Sequence, residues 1–202
     1  SKSAVIGLLA AARGIRRTEP IEDLLELTFA VRTEQRGQVE RDFQTAARRG
    51  ERTPISVSTR HYLADAVFLA AVEGKPDLLE GLLDAVRRPH FPLFLGRRSC
   101  PPVGPVAVGL RNSTALGALD HEPWCASPAF QRAHRQREIE LDVVADCDAA
   151  AMGAELVRDQ PVEFGFDPAH RQWEWRSVLR SRVTVRNPAF RDAPAHDPMD
   201  VL

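Results

Sequence analysis

The spacing of apolar residues predicts alternating helices and strands in the first half of the chain. "SKSAVIGLLAAARG" combines helix-forming alanine and leucine with hydroxyls at Ser1 and Ser3 that can cap a helix, and Gly14 is a typical stop. "IEDLLEL" predicts a short helix, and "LTFAVRTEQ" has the alternation of a strand. "HYLADAVFLAAVEG" is predicted to be a central strand, and "PDLLEGLLDAVRRP" repeats leucine at helical spacing.

The second half predicts mainly strands, at "PVAVGL", "EIELDVVADC", "QPVEFGF" and "QWEWRSVLRSRVTV", with a short helix at "STALGAL". This order predicts an α+β fold with a sheet covered on one face by helices. A strand before Ser1 would make the order βαββαβ, which is the ferredoxin-like or RNA-recognition arrangement. At 202 residues we expect one domain over 1–202, with the strands of 106–186 packed on that same domain.

Two stretches interrupt this pattern. The polar stretch 36–60, "RGQVERDFQTAARRGERTPISVSTR", carries six arginines against three acidic residues and predicts a surface hairpin or long loop. "FPLFLGRRSCPP" is so rich in proline that it predicts a rigid, turning connection. Gly96 allows a tight turn there, so Arg97 and Arg98 can be presented together to a phosphate backbone. Solvated arginines beside a proline-rich turn are the alternative.

The composition limits the kinds of partner that the chain can bind. A net charge of -1 excludes a basic footprint over the whole surface, so nucleic-acid binding must come from local clusters. All but two of the 27 basic residues are arginine, which suits phosphates, although a GC-rich genome explains the bias equally well. Three cysteines without a CxxC pair predict a reducing cytoplasm. The longest apolar run is too short to span a bilayer.

Aromatic and basic residues also alternate near the C-terminus. Trp173 and Trp175 are interleaved with Arg171, Arg176, Arg180, Arg182 and Arg186. Flat rings and positive charge suit single-stranded nucleic acid. Residues two apart share one face of a strand, however, and a buried core face is the favoured interpretation. At the other end of the chain, the start of the first helix with Lys2 could hold an anion or be a plain capped helix.

Catalytic motifs are absent from the sequence, which has no G-x-S-x-G, P-loop or G-x-G-x-x-G. The grouping of Arg60, His61 and Tyr62 could cleave RNA, with histidine as base and arginine steadying the phosphate. A core position for Tyr62 is the favoured alternative, because it begins an apolar run.

Metal sites are not expected, and neither is a cofactor. His121 and Cys125 have a spacing that could bind a metal on a helix, but Pro123 lies between them. Asp146 and Asp148 could attract magnesium, and a solvated strand end is the favoured interpretation.

Four segments in the same order carry a family resemblance: "SKSAVIGLLAAARG", "RDFQTA", "STRHYLADAVFL" and "FLGRRSCPP". They resemble the CasD-type subunits of the Cas-five family, which belong to the type I-E CRISPR surveillance complex called Cascade. The resemblance covers Ser1 to about Pro105, and more loosely "RDQPVEFGFDPAHRQWEWR". It implies a ferredoxin-like, RNA-recognition-type domain with a protruding thumb.

The resemblance also implies a function in antiviral defence. Such a subunit caps one end of the complex, binds the five-prime handle of the CRISPR RNA and helps to assemble the effector for DNA target binding. The implied role is not catalytic, because another subunit, CasE, cuts the RNA. Related proteins of another subtype do cleave RNA, so a metal-independent endoribonuclease that processes CRISPR repeat RNA stays open as the alternative.

Carried onto this sequence, the resemblance implies RNA contacts from three segments. These are the start of the first helix, the thumb at 36–60, and the loop of residues 96–99, which we call the glycine-arginine loop. At the helix start, Ala4 replaces the family's glycine. The thumb has a core at 41–45, including Asp42, and Arg60 at its base. The implied RNA-binding residues are Ser1, Lys2, Ser3, Arg41, Phe43, Gln44, Thr45, Arg60, Gly96, Arg97, Arg98 and Ser99.

The implied partners are CRISPR RNA, the backbone subunit CasC, the large subunit CasA, and CasB and CasE in the same complex. Target DNA would be reached through the complex, in the cytoplasm and without a membrane. The family normally has a strand and a glycine-rich loop before the first helix. We therefore expect that the N-terminal strand is missing from this chain, which would leave an open sheet edge.

Overall fold

The computed structural model of the chain describes residues 1–45, 50, 56–167 and 169–191. The helices of these residues are α1 (Lys2–Arg13), α2 (Glu22–Leu25), α3 (Pro76–Arg87), α4 (Ala115–His121) and α5 (Pro128–Ala133). The strands are β1 (Thr28–Gln35), β2 (Gln38–Gln44), β3 (Ser58–Ala64), β4 (Val67–Glu73), β5 (Glu138–Asp146), β6 (Glu155–Pro161) and β7 (Trp173–Arg186).

The strands form two sheets. One has five strands in the order β4-β1-β5-β7-β6, and the other is the hairpin of β2 and β3. The pairs β1–β5, β6–β7 and β2–β3 are antiparallel. The α+β class is confirmed, and the ferredoxin-like arrangement of its strands stays a prediction.

The chain divides into two compact units. The first comprises Ser1–Arg32, Ala70–Glu122 and Asp142–Val183, and the second comprises Thr33–Leu69, Pro123–Leu141 and Thr184–Leu202. The prediction of a single domain over 1–202 stays a prediction. Within 106–186 the strands begin only at β5, and helices α4 and α5 precede them.

The core of the first unit is built from α1, α2 and α3. In α1 the apolar positions recur at helical spacing, so that Ile6, Leu9 and Ala10 lie on one buried face. Leu24 of α2 and Leu82 of α3 are buried in the same cluster. Helix α1 ends at Gly14, as predicted. The spacing of apolar residues in the sequence therefore placed these helices correctly.

A cluster of two carboxylates and two cations joins the start of α1 to the strands of the first unit. The Lys2 ammonium lies 2.9 Å from Asp146 Oδ2, and the Lys2 backbone N–H donates to Asp159 Oδ2 at 2.8 Å. Arg176 Nε donates to Asp159 Oδ1 at 2.6 Å, and its Nη1 donates to Asp146. The Phe29 backbone N–H also donates to Asp146, at 2.8 Å, so both carboxylates are multiply hydrogen-bonded.

Burial acts against the charge of Asp159, yet hydrogen bonds from Arg176 and the Lys2 backbone outweigh it, so the pKa of Asp159 lies below its usual value. Burial also acts against the charge of Arg176. Its hydrogen bonds to Asp159 and Asp146 outweigh that effect and raise its pKa. The predicted hydroxyl cap of α1 is wrong, because the Ser1 side chain makes no capping hydrogen bond. Asp159, distant in sequence, accepts from the helix start instead.

The second unit has a core of aromatic rings and satisfied polar groups. The Trp124 ring packs edge-on against His134, with 5.4 Å between ring centroids, and Trp124 Nε1 donates to Glu34 O at 2.9 Å. The buried Asn187 amide donates to the backbone oxygens of Gln131, His134 and Gln136. These bonds fix the segment around α5, a helix that was not predicted from the sequence.

Three predicted strands differ from the structure. "HYLADAVFLAAVEG" is not one central strand, because Asp65 adopts a left-handed conformation, with φ 55°, between β3 and β4. "PVAVGL" forms no strand, and the alternating apolar residues of 105–110 stay outside both sheets. "QPVEFGF" overlaps only the end of β6 and then turns. Apolar alternation alone does not say whether a neighbouring strand is present to pair.

We predict that Asp159→Asn lowers the free energy of unfolding by about 3–5 kcal/mol at pH 7, because it removes one partner of a buried ion pair. The folded pKa of Asp159 is lowered, so its stabilising contribution is present above about pH 4 and is lost as the pH falls through that folded pKa. Urea unfolding at pH 7 and pH 3 measures this. Asp84→Asn, at an exposed position of α3, is the matched control. A difference from wild type that stays constant between the two pH values would contradict the assignment.

Candidate nucleic-acid interface

The hairpin of β2 and β3 begins at a turn that needs glycine. Gly37 has φ +69°, and a Cβ added there would lie 2.4 Å from Ala64 O. Beside it, Gln35 Nε2 donates to Asp65 O at 2.7 Å. The described strands pair from Gln38 opposite Ala64 to Gln44 opposite Ser58. The predicted hairpin is therefore confirmed, and its paired strands extend four residues beyond 60.

One face of this hairpin is exposed along its whole described length. Residues directly opposite each other in an antiparallel pair share a face, and on this one the pairs are Val39–Leu63, Arg41–His61 and Phe43–Thr59. We call these six residues the outer face. Val39 is 68%, Phe43 56% and Leu63 53% exposed. The Arg41 guanidinium lies 4.6 Å from the centroid of the Phe43 ring, in cation–π geometry.

The opposite face of the hairpin is more polar and partly buried. Arg60 lies opposite Asp42, and Gln44 Nε2 donates to Asp42 Oδ2 at 2.6 Å. Arg60 was expected at the base of the thumb. The register instead places it in the half of the paired strands that is remote from Gly37. Of the predicted RNA-binding residues in the hairpin, Arg41 and Phe43 thus share one face, and Gln44 and Arg60 share the other.

The structure does not bring Arg60, His61 and Tyr62 together as a candidate nuclease site. His61 belongs to the outer face, whereas its neighbours Arg60 and Tyr62 lie opposite Asp42 and Glu40 on the other face. Successive side chains of a strand point to opposite sides. Tyr62 is half-buried in the hairpin and is not a residue of the sheet core, contrary to the favoured interpretation.

Three members of the outer face were not predicted from the sequence: Val39, Thr59 and Leu63. They alternate with Arg41, Phe43 and His61 along the chain, but the stretch of sequence between the two strands is too long for their register to be inferred. Thr45 is exposed at the end of β2. The arginines Arg48, Arg49 and Arg52 of the predicted basic patch lie outside the described residues.

The glycine-arginine loop is a compact exposed turn. Leu95 N donates to Cys100 O at 3.2 Å, and Cys100 N donates to Arg97 O at 2.9 Å, which closes the loop around Arg97, Arg98 and Ser99. Gly96 has φ +78°, a conformation that favours glycine. All of 96–99 is exposed. The predicted turning connection is confirmed, since the described residues between α3 and α4 form neither helix nor strand, and its rigidity stays a prediction.

The start of α1 binds carboxylates of the chain itself, whereas one expectation from the sequence was that it holds an external anion. The Lys2 side chain is buried and bound to Asp146, while the first backbone N–H of the helix donates to Asp159. The anion expected at this helix end is therefore an aspartate of the chain itself. Ser1 is exposed and Ser3 half-buried, with 3.5 Å between their hydroxyl oxygens. Contact of these three residues with RNA stays a prediction.

The C-terminal arginines are largely paired with carboxylates. Arg176 belongs to the buried cluster, Arg180 Nε lies 2.8 Å from Glu155, and Arg182 lies 3.4 Å from Asp142. Trp175 is exposed and lies opposite Arg158, so a core position for it is wrong; Trp173 is half-buried. Three of the five arginines of this stretch therefore have a carboxylate partner, whereas Arg171 and Arg186 are exposed.

No group of three or more histidine, cysteine or acidic residues within the described chain could hold a metal ion. The sequence favoured a solvated strand end for Asp146. The structure shows instead that Asp146 is ion-paired within the buried cluster. His121 Nδ1 lies 2.7 Å from Gly117 O, and the Cys125 thiol donates to Pro123 O at 3.2 Å. No helix in the described part of the chain is long and apolar enough to cross a membrane.

Comparison with known proteins identifies the family. The family model described as "CRISPR-associated protein (Cas_Cas5)" matches residues 1–179. The chain belongs to the Cas5 family of CRISPR-associated proteins. Among curated relatives, the CRISPR system Cascade subunit CasD of Escherichia coli (strain K12) is 36% identical over 145 residues, which is 61% of this Cas5 chain. The match spans 65% of that relative's length.

Two solved structures share the fold of this Cas5 chain. A structure described as the crystal structure of a Cas protein matches with a TM-score of 0.70 and 29% identity, over 96% of this chain and 85% of the other. A second, described as a CRISPR RNA-guided surveillance complex, matches with a TM-score of 0.73 and 25% identity, over 96% of this chain and 83% of the other. The family resemblance seen in the sequence is confirmed.

We predict that Phe43→Ala changes the free energy of unfolding by no more than about 0.5 kcal/mol, because substitutions of exposed side chains have small effects on stability. Phe29→Ala, which truncates a buried phenylalanine of β1, should cost about 3–5 kcal/mol. Urea unfolding of both variants beside wild type measures the contrast. A large loss in Phe43→Ala would mean that the ring packs within the chain and is not displayed on the outer face.

Proposed function

We propose that this Cas5 chain is a non-catalytic subunit of a CRISPR surveillance complex of the Cascade type, which binds and caps the five-prime handle of the CRISPR RNA. The observation that carries the proposal is the outer face of the hairpin, where Arg41 lies over the ring of Phe43 and both are exposed. Family membership supplies the context, since one relative is described as a Cascade subunit and one structural match as an RNA-guided surveillance complex.

The outer face has the chemistry that a splayed RNA strand requires. Unpaired bases stack on aromatic rings and arginine planes, and phosphates pair with cations. Phe43 supplies the ring, Arg41 the guanidinium and His61 a second nitrogen donor. Val39 and Leu63 extend the apolar surface along the same face. Lying across the guide next to the handle, this surface would hold one base out of pairing.

The glycine-arginine loop is proposed as the clamp on the bent handle. Two neighbouring guanidiniums on a turn closed by backbone hydrogen bonds lose little conformational freedom on binding, which favours phosphate contact. The chain's net charge of -1 fits a protein whose basic residues act locally, while its other surfaces contact protein subunits.

The proposed partners are the guide RNA, the backbone subunit CasC, the large subunit CasA, and CasB and CasE. Target DNA would be reached through the assembled complex. We propose no nuclease activity for this chain, because the hairpin separates His61 from Arg60 and Tyr62. Cleavage of repeat RNA by the purified chain alone would instead favour the endoribonuclease alternative.

We predict that Arg41→Ala/Phe43→Ala weakens binding of handle-bearing guide RNA by the reconstituted complex by about tenfold or more, because it removes a stacking platform and a phosphate contact. Fluorescence anisotropy with labelled RNA, repeated over a range of salt, measures affinity and its salt slope. Phe43→Trp should retain affinity, and Phe68→Ala removes an exposed ring of β4 as the matched control. Equal losses in Phe68→Ala and the double variant would count against a specific role for the outer face.

We predict that Arg97→Ala/Arg98→Ala abolishes the advantage of guide RNA with the handle over guide RNA without it, because the loop contacts only the handle. The control is Arg87→Ala/Arg88→Ala, a second exposed arginine pair at the end of α3 that carries the same charge change. Native gel shifts with both RNAs and the reconstituted complex measure the ratio. Handle preference that survives in the loop variant would show that the arginines are merely solvated.

A further inference from the structure

One stretch of the first unit has the composition of a strand but pairs with no strand among the described residues. Residues 101–110, "PPVGPVAVGL", lie between the glycine-arginine loop and α4, and we call them the proline-valine segment. From 105 to 111 the chain runs without helix, strand, turn or bend. Alternating valines are typical of strands. The segment is therefore a strand by sequence that the described chain does not pair.

The backbone of the segment is almost entirely unpaired. Among the described residues its one hydrogen bond is to Leu110 O, which accepts from Arg111 Nη1 at 2.8 Å. The backbone N–H groups from Val106 to Leu110 have no partner in the described chain. An exposed run of free donors and acceptors is a template for pairing with a strand edge.

The apolar side chains of the segment are exposed as well. Val108 is 56% and Leu110 43% exposed, and Val106 is also exposed, while Ala107 between the two valines is half-buried. Side chains at alternate positions therefore point away from the unit. Pro101, Pro102 and Pro105 restrict the chain ahead of them, which lowers the entropy cost of ordering it on a partner.

The segment lacks the chemistry for RNA. It contains no charged residue and no aromatic ring, so it offers neither phosphate contacts nor stacking surfaces. Free backbone groups beside alternating aliphatic side chains match a protein that presents a strand edge and an adjoining apolar groove. The segment is uncharged, whereas the glycine-arginine loop that precedes it in the chain carries two arginines.

We propose that Val106–Leu110 adds as a β-strand to another protein subunit of the surveillance complex. The inference rests on the proposed function for the existence of that complex, but not on the RNA-binding surfaces. Backbone hydrogen bonds supply the docking, and Val106, Val108 and Leu110 supply the apolar contacts. The arginine loop and the segment then bind different partners, RNA and protein, within fifteen residues of chain (96–110).

Hydrogen exchange measured by mass spectrometry tests strand addition directly. The chain is measured alone, with guide RNA alone, at high concentration, and in the complex reconstituted with the other protein subunits. We expect fast exchange over 105–110 in the first three samples and at least tenfold slower exchange in the complex. Slowing by RNA alone would assign the segment to nucleic acid, and slowing on concentration would assign it to a second copy. Either outcome overturns the inference.

Variants give an independent test. Val106→Asp/Val108→Asp should reduce incorporation into the complex at least tenfold, whereas Val103→Asp, at the fully exposed bend that precedes Val106–Leu110, should not. Val108→Pro removes a backbone donor without adding charge and should also reduce incorporation. Since the valines are exposed, we expect all three proteins to melt like wild type.

The outcomes separate the inference from the proposed function. If the wild-type chain neither joins the complex nor binds guide RNA, the proposed function fails and the inference fails with it. If wild type joins, and the aspartate and proline variants join equally well with fast exchange over 105–110, the inference alone is overturned.

Discussion

The buried cluster of Lys2, Asp146, Asp159 and Arg176 is the interaction on which the first unit depends. The two carboxylates accept hydrogen bonds from the backbone N–H at the start of α1, from the Phe29 backbone N–H in β1, and from an arginine of β7. Charges taken out of water are tolerated only when their hydrogen-bonding capacity is filled, and here each carboxylate has several donors. The cluster therefore fixes where helix and strands meet, and the leucine-rich faces of α1 and α3 pack accordingly.

That same cluster changes how the basic residues of the chain are interpreted. Lys2 and Arg176 are among the residues that suggested anion or nucleic-acid binding, yet both neutralise internal carboxylates. Arg180 and Arg182 pair with Glu155 and Asp142 on the surface. Positive charge for a phosphate backbone is offered instead at the exposed hairpin and the glycine-arginine loop. Position, and not the number of arginines, distinguishes the two uses.

The hairpin and the proline-valine segment present opposite kinds of surface. The hairpin has its strands paired with each other, and its outer face presents aromatic, cationic and apolar side chains. The segment has aliphatic side chains, and its backbone N–H groups from Val106 to Leu110 find no partner among the described residues. A chain that must contact both RNA and protein can separate the two tasks in this way, because the segment lacks the charge and the aromatic rings that RNA requires.

The sequence by itself determined helices α1 to α4, the strands β1, β5 and β7, the turning loop after Phe91 and the family, and it offered the hairpin as one of two alternatives. Periodicity and turn residues decide these features locally. Tertiary structure decided which face of the hairpin is exposed, the break at Asp65, the position of 105–110 outside both described sheets and the pairing of Lys2 with Asp146. These depend on the register between strands and on carboxylates more than a hundred residues away in the sequence, and no local pattern encodes which distant group will satisfy a donor.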